Sequence, residues 1–341
     1  MNCDFSVNKD TLTFQWHITS RCNLRCKHCY QESYDHRELE YSQLMAVIDQ
    51  YKDLLKKLNR KGHINITGGE PFIREDFFSL LEVLNQNHQH FSFGILTNGS
   101  FIDQAAACRL KNLNPAFVQI SIEGDEEIHN SIRGEGNLER VLQALKCLRK
   151  NDIKTLVSFT AHRGNYKTFP AVAGLCRRNG VFKLWTDRMV PFGNAESIKA
   201  SSLNPQETWE FFNIVNQCRA EKNWRIRNRT IIELKRSLQF LADNSFPYTC
   251  KAGESLITLL EDGTVLPCRR LPIVAGNIKE SSLMEIYFES PTLKELRSEV
   301  GAPGRCSRCS YFILCRGGAR CISYAVTGEY LSRDPGCPIV W

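Results

Sequence analysis

Three thiols stand within eight residues, in Cys22-Asn23-Leu24-Arg25-Cys26-Lys27-His28-Cys29, directly after the strand-like run Thr13-Phe14-Gln15-Trp16-His17-Ile18-Thr19. A loop that short can wrap three sulfurs around one inorganic centre, but it cannot easily supply a fourth ligand. A tetrahedral structural zinc site takes four protein ligands, whereas a cubane iron–sulfur cluster held by three cysteines keeps one iron open to another molecule. The residues alone leave two other readings: buried core cysteines, or a zinc site completed by His28 or His36.

A second group of sulfurs follows residue 246: Cys250, Cys268, Cys306, Cys309, Cys315, Cys321 and Cys337. Seven thiols suffice for two ligand sets, and Cys306-x2-Cys309 is also ordinary spacing for zinc knuckles. Further polar residues gather where other strand-like runs end. The second run ends in Thr67-Gly68-Gly69-Glu70-Pro71, where two glycines permit close backbone approach and Glu70 can accept hydrogen bonds from an ammonium group. The third ends at Leu96-Thr97-Asn98-Gly99, and the fourth at Gln119-Ile120-Ser121-Ile122-Glu123-Gly124, with Ile132-Arg133-Gly134 shortly after. The fifth closes on His162, a candidate substrate contact. The sixth runs into Asp187-Arg188, which reads equally as an ion pair at a barrel rim.

These residues need a scaffold that brings strand ends together. Apolar, β-rich runs alternate with helical patterns through the first half, which predicts βα units around a parallel sheet. The predicted strands are Phe14–Thr19, His63–Thr67, Phe91–Thr97, Phe117–Ile122, Lys154–Ala161 and Lys183–Arg188, a set that suits a partial barrel. Between the first two, Leu44, Val47, Ile48, Tyr51, Leu54, Leu55 and Leu58 recur at helical spacing as a core-facing stripe. Barrels of this kind do their chemistry at the C-terminal ends of the strands. From Asn194 to about Phe246 the pattern is amphipathic and helical, with Trp209, Phe211, Phe212, Ile214 and Val215, then Ile231, Leu234, Leu238 and Leu241, and reads as a bridge.

The 341 residues exceed the usual single-domain size, so two domains are expected. No run of about 18 apolar residues appears and the first residues carry no export pattern, so a soluble, untargeted, cytoplasmic protein with no membrane partner is expected. Fifteen cysteines, an odd number, then favour metal clusters over a disulfide framework. The net charge of +7 gives a mild preference for acidic partners. The basic residues are spread along the chain without a tract of interleaved aromatics, so nucleic acid is not an expected partner.

The cysteine loop resembles that of the radical SAM superfamily, whose C-x3-C-x2-C signature follows the first strand of a partial (β/α) barrel. The resemblance extends over roughly Thr13 to Trp341 and implies an α/β fold, a partial (β/α)6 TIM-like radical SAM barrel with a C-terminal cysteine-rich SPASM domain. The implied boundaries are 1–195 for the barrel, 196–245 for the helical bridge and 246–341 for the SPASM domain. It implies a [4Fe–4S] cluster on Cys22, Cys26 and Cys29, with S-adenosylmethionine on the open iron. His28 falls where the family usually places an aromatic residue. Gly68, Gly69 and Glu70 resemble the motif that holds the methionyl amino group, and Asn98, Ser121 and Arg133 match polar positions that contact the ribose and carboxylate. The later cysteines resemble the SPASM pattern and imply two auxiliary iron–sulfur clusters. One uses Cys306, Cys309, Cys315 and Cys337; the other uses Cys250, Cys268 and Cys321 and has an iron left open or capped by a non-cysteine group. The family's next cysteine after Cys315 falls at a position occupied here by Ala319, and Cys321 stands two residues later.

By the same resemblance, the expected activity is reductive cleavage of S-adenosylmethionine to a 5′-deoxyadenosyl radical that takes hydrogen from a ribosomally made precursor peptide. The outcome would be a thioether or carbon–carbon crosslink, an epimerisation or a backbone excision. An electron donor such as flavodoxin or ferredoxin is expected. With the first strand beginning near residue 13, a separate leader-binding partner protein is expected too. The alternatives are maturation of a tetrapyrrole or quinone cofactor, oxidation of a Ser or Cys side chain in a sulfatase, and a zinc-binding interaction module without activity. Cys3, Cys108, Cys147, Cys176 and Cys218 lie outside these patterns and read as small hydrophobes, with Cys176 or Cys218 as a conceivable hydrogen-atom donor.

Overall fold

The computed structural model describes residues 11–221, 230–298 and 303–339, so Cys3 lies outside the described residues. The first strand, β1 (Thr11–His17), buries Leu12, Phe14 and Trp16 completely while Thr11, Thr13 and Gln15 alternate with them. Helix α1 (Tyr41–Leu58) follows, started by a reciprocal capping box between Glu40 and Gln43 and ended at Asn59 in the left-handed conformation. It buries Leu44, Val47, Ile48, Tyr51, Leu54 and Leu55 on one face, each such apolar side chain contributing about 1.5–3 kcal/mol. The Tyr51 ring stacks on Phe14 at 4.9 Å, and its hydroxyl donates to Leu12 O at 2.6 Å and accepts from His63 N at 3.2 Å, which fixes α1 over the first two strands.

The unit then repeats as β2 (Lys61–Thr67), α2 (Phe77–Gln86), β3 (Phe91–Thr97), α3 (Gln104–Leu113), β4 (Phe117–Ser121), α4 (Glu126–Arg133), α5 (Asn137–Lys150), β5 (Thr155–Ala161), α6 (Phe169–Arg178) and β6 (Lys183–Arg188). All six strands pair in parallel and in chain order. Their C-terminal ends, and the loops that follow them, therefore lie at one end of the sheet.

The sheet continues at both edges. Helix α7 (Pro205–Ala220) is followed by β7 (Ile231–Glu233), a seventh parallel strand beside β6, and by the one-turn helix α8 (Phe240–Asp243). Among its described residues, the stretch read as a helical bridge thus holds a strand between its long helix and its one-turn helix. Ile231, Leu234 and Leu238 mimic helical spacing, but Ile231 lies in a strand and Leu238 has φ 70°. At the other edge β8 (Leu256–Leu259) pairs in parallel with β1, Thr13 facing Leu256. It turns through Asp262-Gly263 into antiparallel β9 (Thr264–Leu266), with β10 (Gly276–Asn277) outermost. The ten strands form one sheet, so the C-terminal third is hydrogen-bonded to the barrel rather than tethered to it. Helices α9 (Leu283–Glu289), α10 (Pro291–Arg297), α11 (Phe312–Cys315) and α12 (Arg320–Thr327) complete the described chain.

Candidate active site

The loop after β1 is fastened before its first cysteine. Arg74 donates to Ile18 O at 2.9 Å and Leu39 O at 2.8 Å and pairs with Glu38, which also binds Arg21 and the Thr19 hydroxyl. Gly69 N donates to Thr19 O at 2.8 Å and Glu70 N to Arg21 O at 2.9 Å. A Cβ at Gly69 would stand 2.3 Å from Arg21 O, and one at Gly68 2.4 Å from Thr19 O. The two glycines therefore let the end of β2 lie directly on the backbone that leads to Cys22.

Cys22, Cys26 and Cys29 sit together, half-buried; burial first, and then neighbouring thiols and carboxylates, raises Cys22 and Cys26. Cys22 is pushed up to about 11. Backbone N–H groups of Leu24 and Gln31 point at Cys22 Sγ and Cys29 Sγ at 3.5 and 3.4 Å. Arg133 Nη1 points at Cys26 Sγ at 3.8 Å. Cations and N–H donors around gathered thiols favour the thiolates that metals require.

The Glu70 carboxylate is fully buried and accepts from the Thr97 hydroxyl at 2.7 Å, Asn98 N at 2.8 Å and Phe72 N at 3.3 Å. Burial outweighs these bonds and pushes it up to about 7. Its side chain thus joins the ends of β2 and β3, with capacity for about one more donor. Asn98 Nδ2 donates to Asn23 Oδ1 at 2.8 Å, tying β3 to the cysteine loop, and Ser121 Oγ lies 3.1 Å from Ser158 Oγ.

Glu123, just past β4, was not singled out from the sequence and is the hub of the site. It is fully buried and takes Arg133 on one oxygen at 2.6 and 3.2 Å and Thr160 N on the other at 2.8 Å. His28 Nε2 lies 2.9 Å from the same carboxylate, off the hydrogen-bonding direction of the ring. Burial alone would raise Glu123, but His28 and Arg133 outweigh it and hold the carboxyl well below the usual range. The available signal was an acid at a barrel strand's C-terminal end, where the pleat aims side chains at the mouth.

Both ring nitrogens of His28, and Nε2 of His162, are buried without a hydrogen-bond partner among the described residues. Burial, with His28 next in weight, lowers His162 to about 4 and keeps it neutral. Gly164 N donates to His162 Nδ1 at 3.1 Å, which assigns the ring proton to Nε2. His162 therefore offers one unused donor to an acceptor in the barrel. His36, the other residue weighed for zinc, instead lies 2.7 Å from Glu261 at the β8–β9 turn.

In the C-terminal third, burial pushes Cys321 up to about 12, with Cys268 and Cys250 adding to the shift, and burial with Cys250 raises Cys268. Cys321 reaches this group from the first turn of α12, while Ala319 caps that helix. Cys306, Cys309, Cys315 and Cys337 line one pocket. Burial pushes Cys315 up to about 12, and Cys337 and Cys309 add to the shift. Among the described residues, no three Cys, His, Asp or Glu groups are placed to hold one metal ion.

Arg188 N donates to Asp187 Oδ1 at 2.9 Å, but the two side chains form their ion pairs elsewhere. Asp187 takes Arg270, two residues after Cys268. Arg188 takes Asp334, three residues before Cys337, in a buried two-pronged contact at 2.8 and 2.6 Å. One dipeptide at the end of β6 thus grips the loops of both auxiliary cysteine sets. Of the other cysteines, Cys147, Cys176 and Cys218 are buried in helices and Cys108 is exposed.

Residues 16–173 match the radical SAM superfamily model and residues 250–310 match the SPASM iron–sulfur cluster-binding domain, together more than half of the chain. The chain belongs to the radical SAM superfamily and carries a C-terminal SPASM domain. Its cofactors are accordingly S-adenosylmethionine and iron–sulfur clusters. It is 26% identical over 340 residues to an AdoMet-dependent heme synthase of Nitratidesulfovibrio vulgaris, covering 94% of this chain and 90% of that one. It is 28% identical over 342 residues to the mycofactocin maturase MftC of Mycolicibacterium smegmatis, covering 96% and 82%. The fold matches Streptococcus suis SuiB bound to its precursor peptide SuiA, with a TM-score of 0.77, 17% identity and coverage of 97% and 76%. Among the described residues, no helix is long and apolar enough to cross a membrane.

Proposed function

We propose that this radical SAM enzyme modifies a ribosomally made precursor peptide, with Cys22, Cys26 and Cys29 as ligands of the catalytic cluster. The observation that carries the catalytic assignment is the meeting of those three thiols with Gly69, Glu70, Asn98, Glu123 and Arg133 at one end of the sheet. A cluster held there and reduced by one electron would supply the reductive cleavage of S-adenosylmethionine to methionine and a 5′-deoxyadenosyl radical, which would take a hydrogen atom from the substrate.

The chain's own residues do the holding and orienting. The Gly68-Gly69-Glu70 segment, laid against the backbone that leads to Cys22, would receive the amino end of the cofactor beside the cysteine loop. Ser121 and Asn98, at the ends of β4 and β3, are placed for its hydroxyls and carboxylate. Arg133, braced by Glu123, keeps a cation beside Cys26 and within reach of a carboxylate. His162 supplies a neutral N–H donor that positions an oxygen of the bound molecules. Cys306, Cys309, Cys315 and Cys337 form one auxiliary ligand set, and Cys250, Cys268 and Cys321 the other.

Likeness along nearly the whole chain to an enzyme captured with its precursor peptide supports the peptide substrate. A separate leader-binding protein and a one-electron donor belong to the same reading. Similarity to a heme synthase over 94% of the chain favours a second one, maturation of a tetrapyrrole. Anaerobically reconstituted protein should form 5′-deoxyadenosine with dithionite and S-adenosylmethionine. Mass spectrometry of a co-expressed short precursor, beside an assay of the conversion of a tetrapyrrole heme precursor, separates the two substrates. An unmodified peptide with a converted tetrapyrrole would reject the peptide reading.

A further inference from the structure

The segment from Pro303 to Arg316 carries three of the four thiols of the second auxiliary set at the molecular surface. Ile313 is 81% exposed, Tyr311 41% and Leu314 37%, and Arg305 and Arg308 are exposed beside them. No Asp or Glu occurs in residues 303–316 to offset the arginines. The apolar side chains are presented by a held backbone. Tyr311 packs on Phe240 with ring centres 5.2 Å apart, Thr249 Oγ1 donates to Leu314 O, and α11 turns the buried Cys315 inward beneath them. An exposed apolar centre rimmed by charge of one sign has the composition of a protein-docking face, and the sign selects the partner.

We propose that this face docks an acidic protein that carries single electrons at low potential, of the flavodoxin or ferredoxin class. The proposal rests on the reading of the chain as a reductive S-adenosylmethionine cleaver. The balance is one to one: the partner loses one electron for each S-adenosylmethionine cleaved to methionine and the 5′-deoxyadenosyl radical. Electron transfer falls steeply with distance, and Ile313 seats the partner close to Cys306, Cys309 and Cys315. The net charge of +7 steers an acidic protein toward the chain, and Arg305 and Arg308 fix where it lands.

The test uses the cluster-loaded full chain and oxidised flavodoxin as the probe, with binding followed by calorimetry at two ionic strengths. Wild-type binding should weaken as salt rises. The Arg305→Glu/Arg308→Glu variant, with its iron content unchanged, should bind at least tenfold more weakly at low salt. Ile313→Ser should weaken binding while keeping the salt dependence. In turnover, the flavodoxin-driven rate should fall with the affinity, whereas dithionite, a small reductant that needs no docking face, should support 5′-deoxyadenosine formation at the wild-type rate. Equal affinity of the charge-reversed variant for flavodoxin, or no binding by the wild type at low salt, overturns the proposal. Loss of a co-expressed substrate peptide from the variant with flavodoxin binding intact also overturns it and makes the face a peptide-recruiting one. Failure of dithionite to drive cleavage in the wild type would reject the enzymatic reading instead, and the calorimetric result would still decide the docking.

Discussion

Replacing Asp334 by Asn tests whether the grip at the end of β6 holds the second auxiliary cysteine set in place. Asp334 Oδ1 accepts from Arg188 Nη1 at 2.8 Å and Gly336 N at 2.9 Å. Oδ2 accepts from Arg188 Nη2 at 2.6 Å and Ala319 N at 2.9 Å. All four acceptor positions are used, so whichever way an amide turned, its NH2 would face two donors. Arg188, 3% exposed, would keep a buried charge without its counter-charge. Removing one partner from a buried pair costs about 3–5 kcal/mol, which corresponds to a melting temperature lowered by roughly 4–7 °C in a chain of this size. The local consequence is more specific. Asp334 N donates to Gly317 O, and Cys337 N donates to Asp334 O, so the loops of Cys315 and Cys337 loosen together. Anaerobic thermal melts and iron and sulfide assays of Asp334→Asn should show lower stability and a loss of about one cubane's iron, with the cluster on Cys22, Cys26 and Cys29 retained. Wild-type melting with full iron would refute the assignment of Asp334 as the anchor of that set.

Cys26→Ala should abolish 5′-deoxyadenosine formation, read by chromatography, while iron in the C-terminal third is retained. Gly69→Ala places a methyl 2.3 Å from Arg21 O, a backbone atom that cannot yield. Such overpacking costs about 1–3 kcal/mol, and iron at the first site should fall together with stability in a melt. Cys309→Ala should lower iron and melting temperature together, because cluster binding and folding are coupled. Oxidative removal of all iron and sulfide should lower the melting temperature of the wild type by more than any single cysteine change, read by circular dichroism under anaerobic conditions.

The barrel was legible because its signals are local. The alternation in β1 and the stripe of α1 each sit within one element, and β3 and β6 fall at the bounds read from the sequence. β7 was not legible, since three residues carry too little pattern and Ile231, Leu234 and Leu238 imitate a helix. Nor could the β1–β8 pairing be read, because nothing near Leu256 says that its partner is Thr13. In the site, thiols and glycines announce themselves by spacing. The work of Glu123 depends on three separate segments, those of His28, Arg133 and Thr160, converging on one buried carboxylate. Asp187 and Arg188 were visible as charges, but their partners Arg270 and Asp334 lie 83 and 146 residues away.

The pairing of β1 with β8 also bears on how the protein is made. While the chain emerges from the ribosome, β1 gains one flank as soon as β2 is complete, but its other flank stays bare until Leu256 has been synthesised. Nascent chains halted before that point would show neighbouring chains an unpaired strand edge next to three free thiols, a combination that invites association between copies.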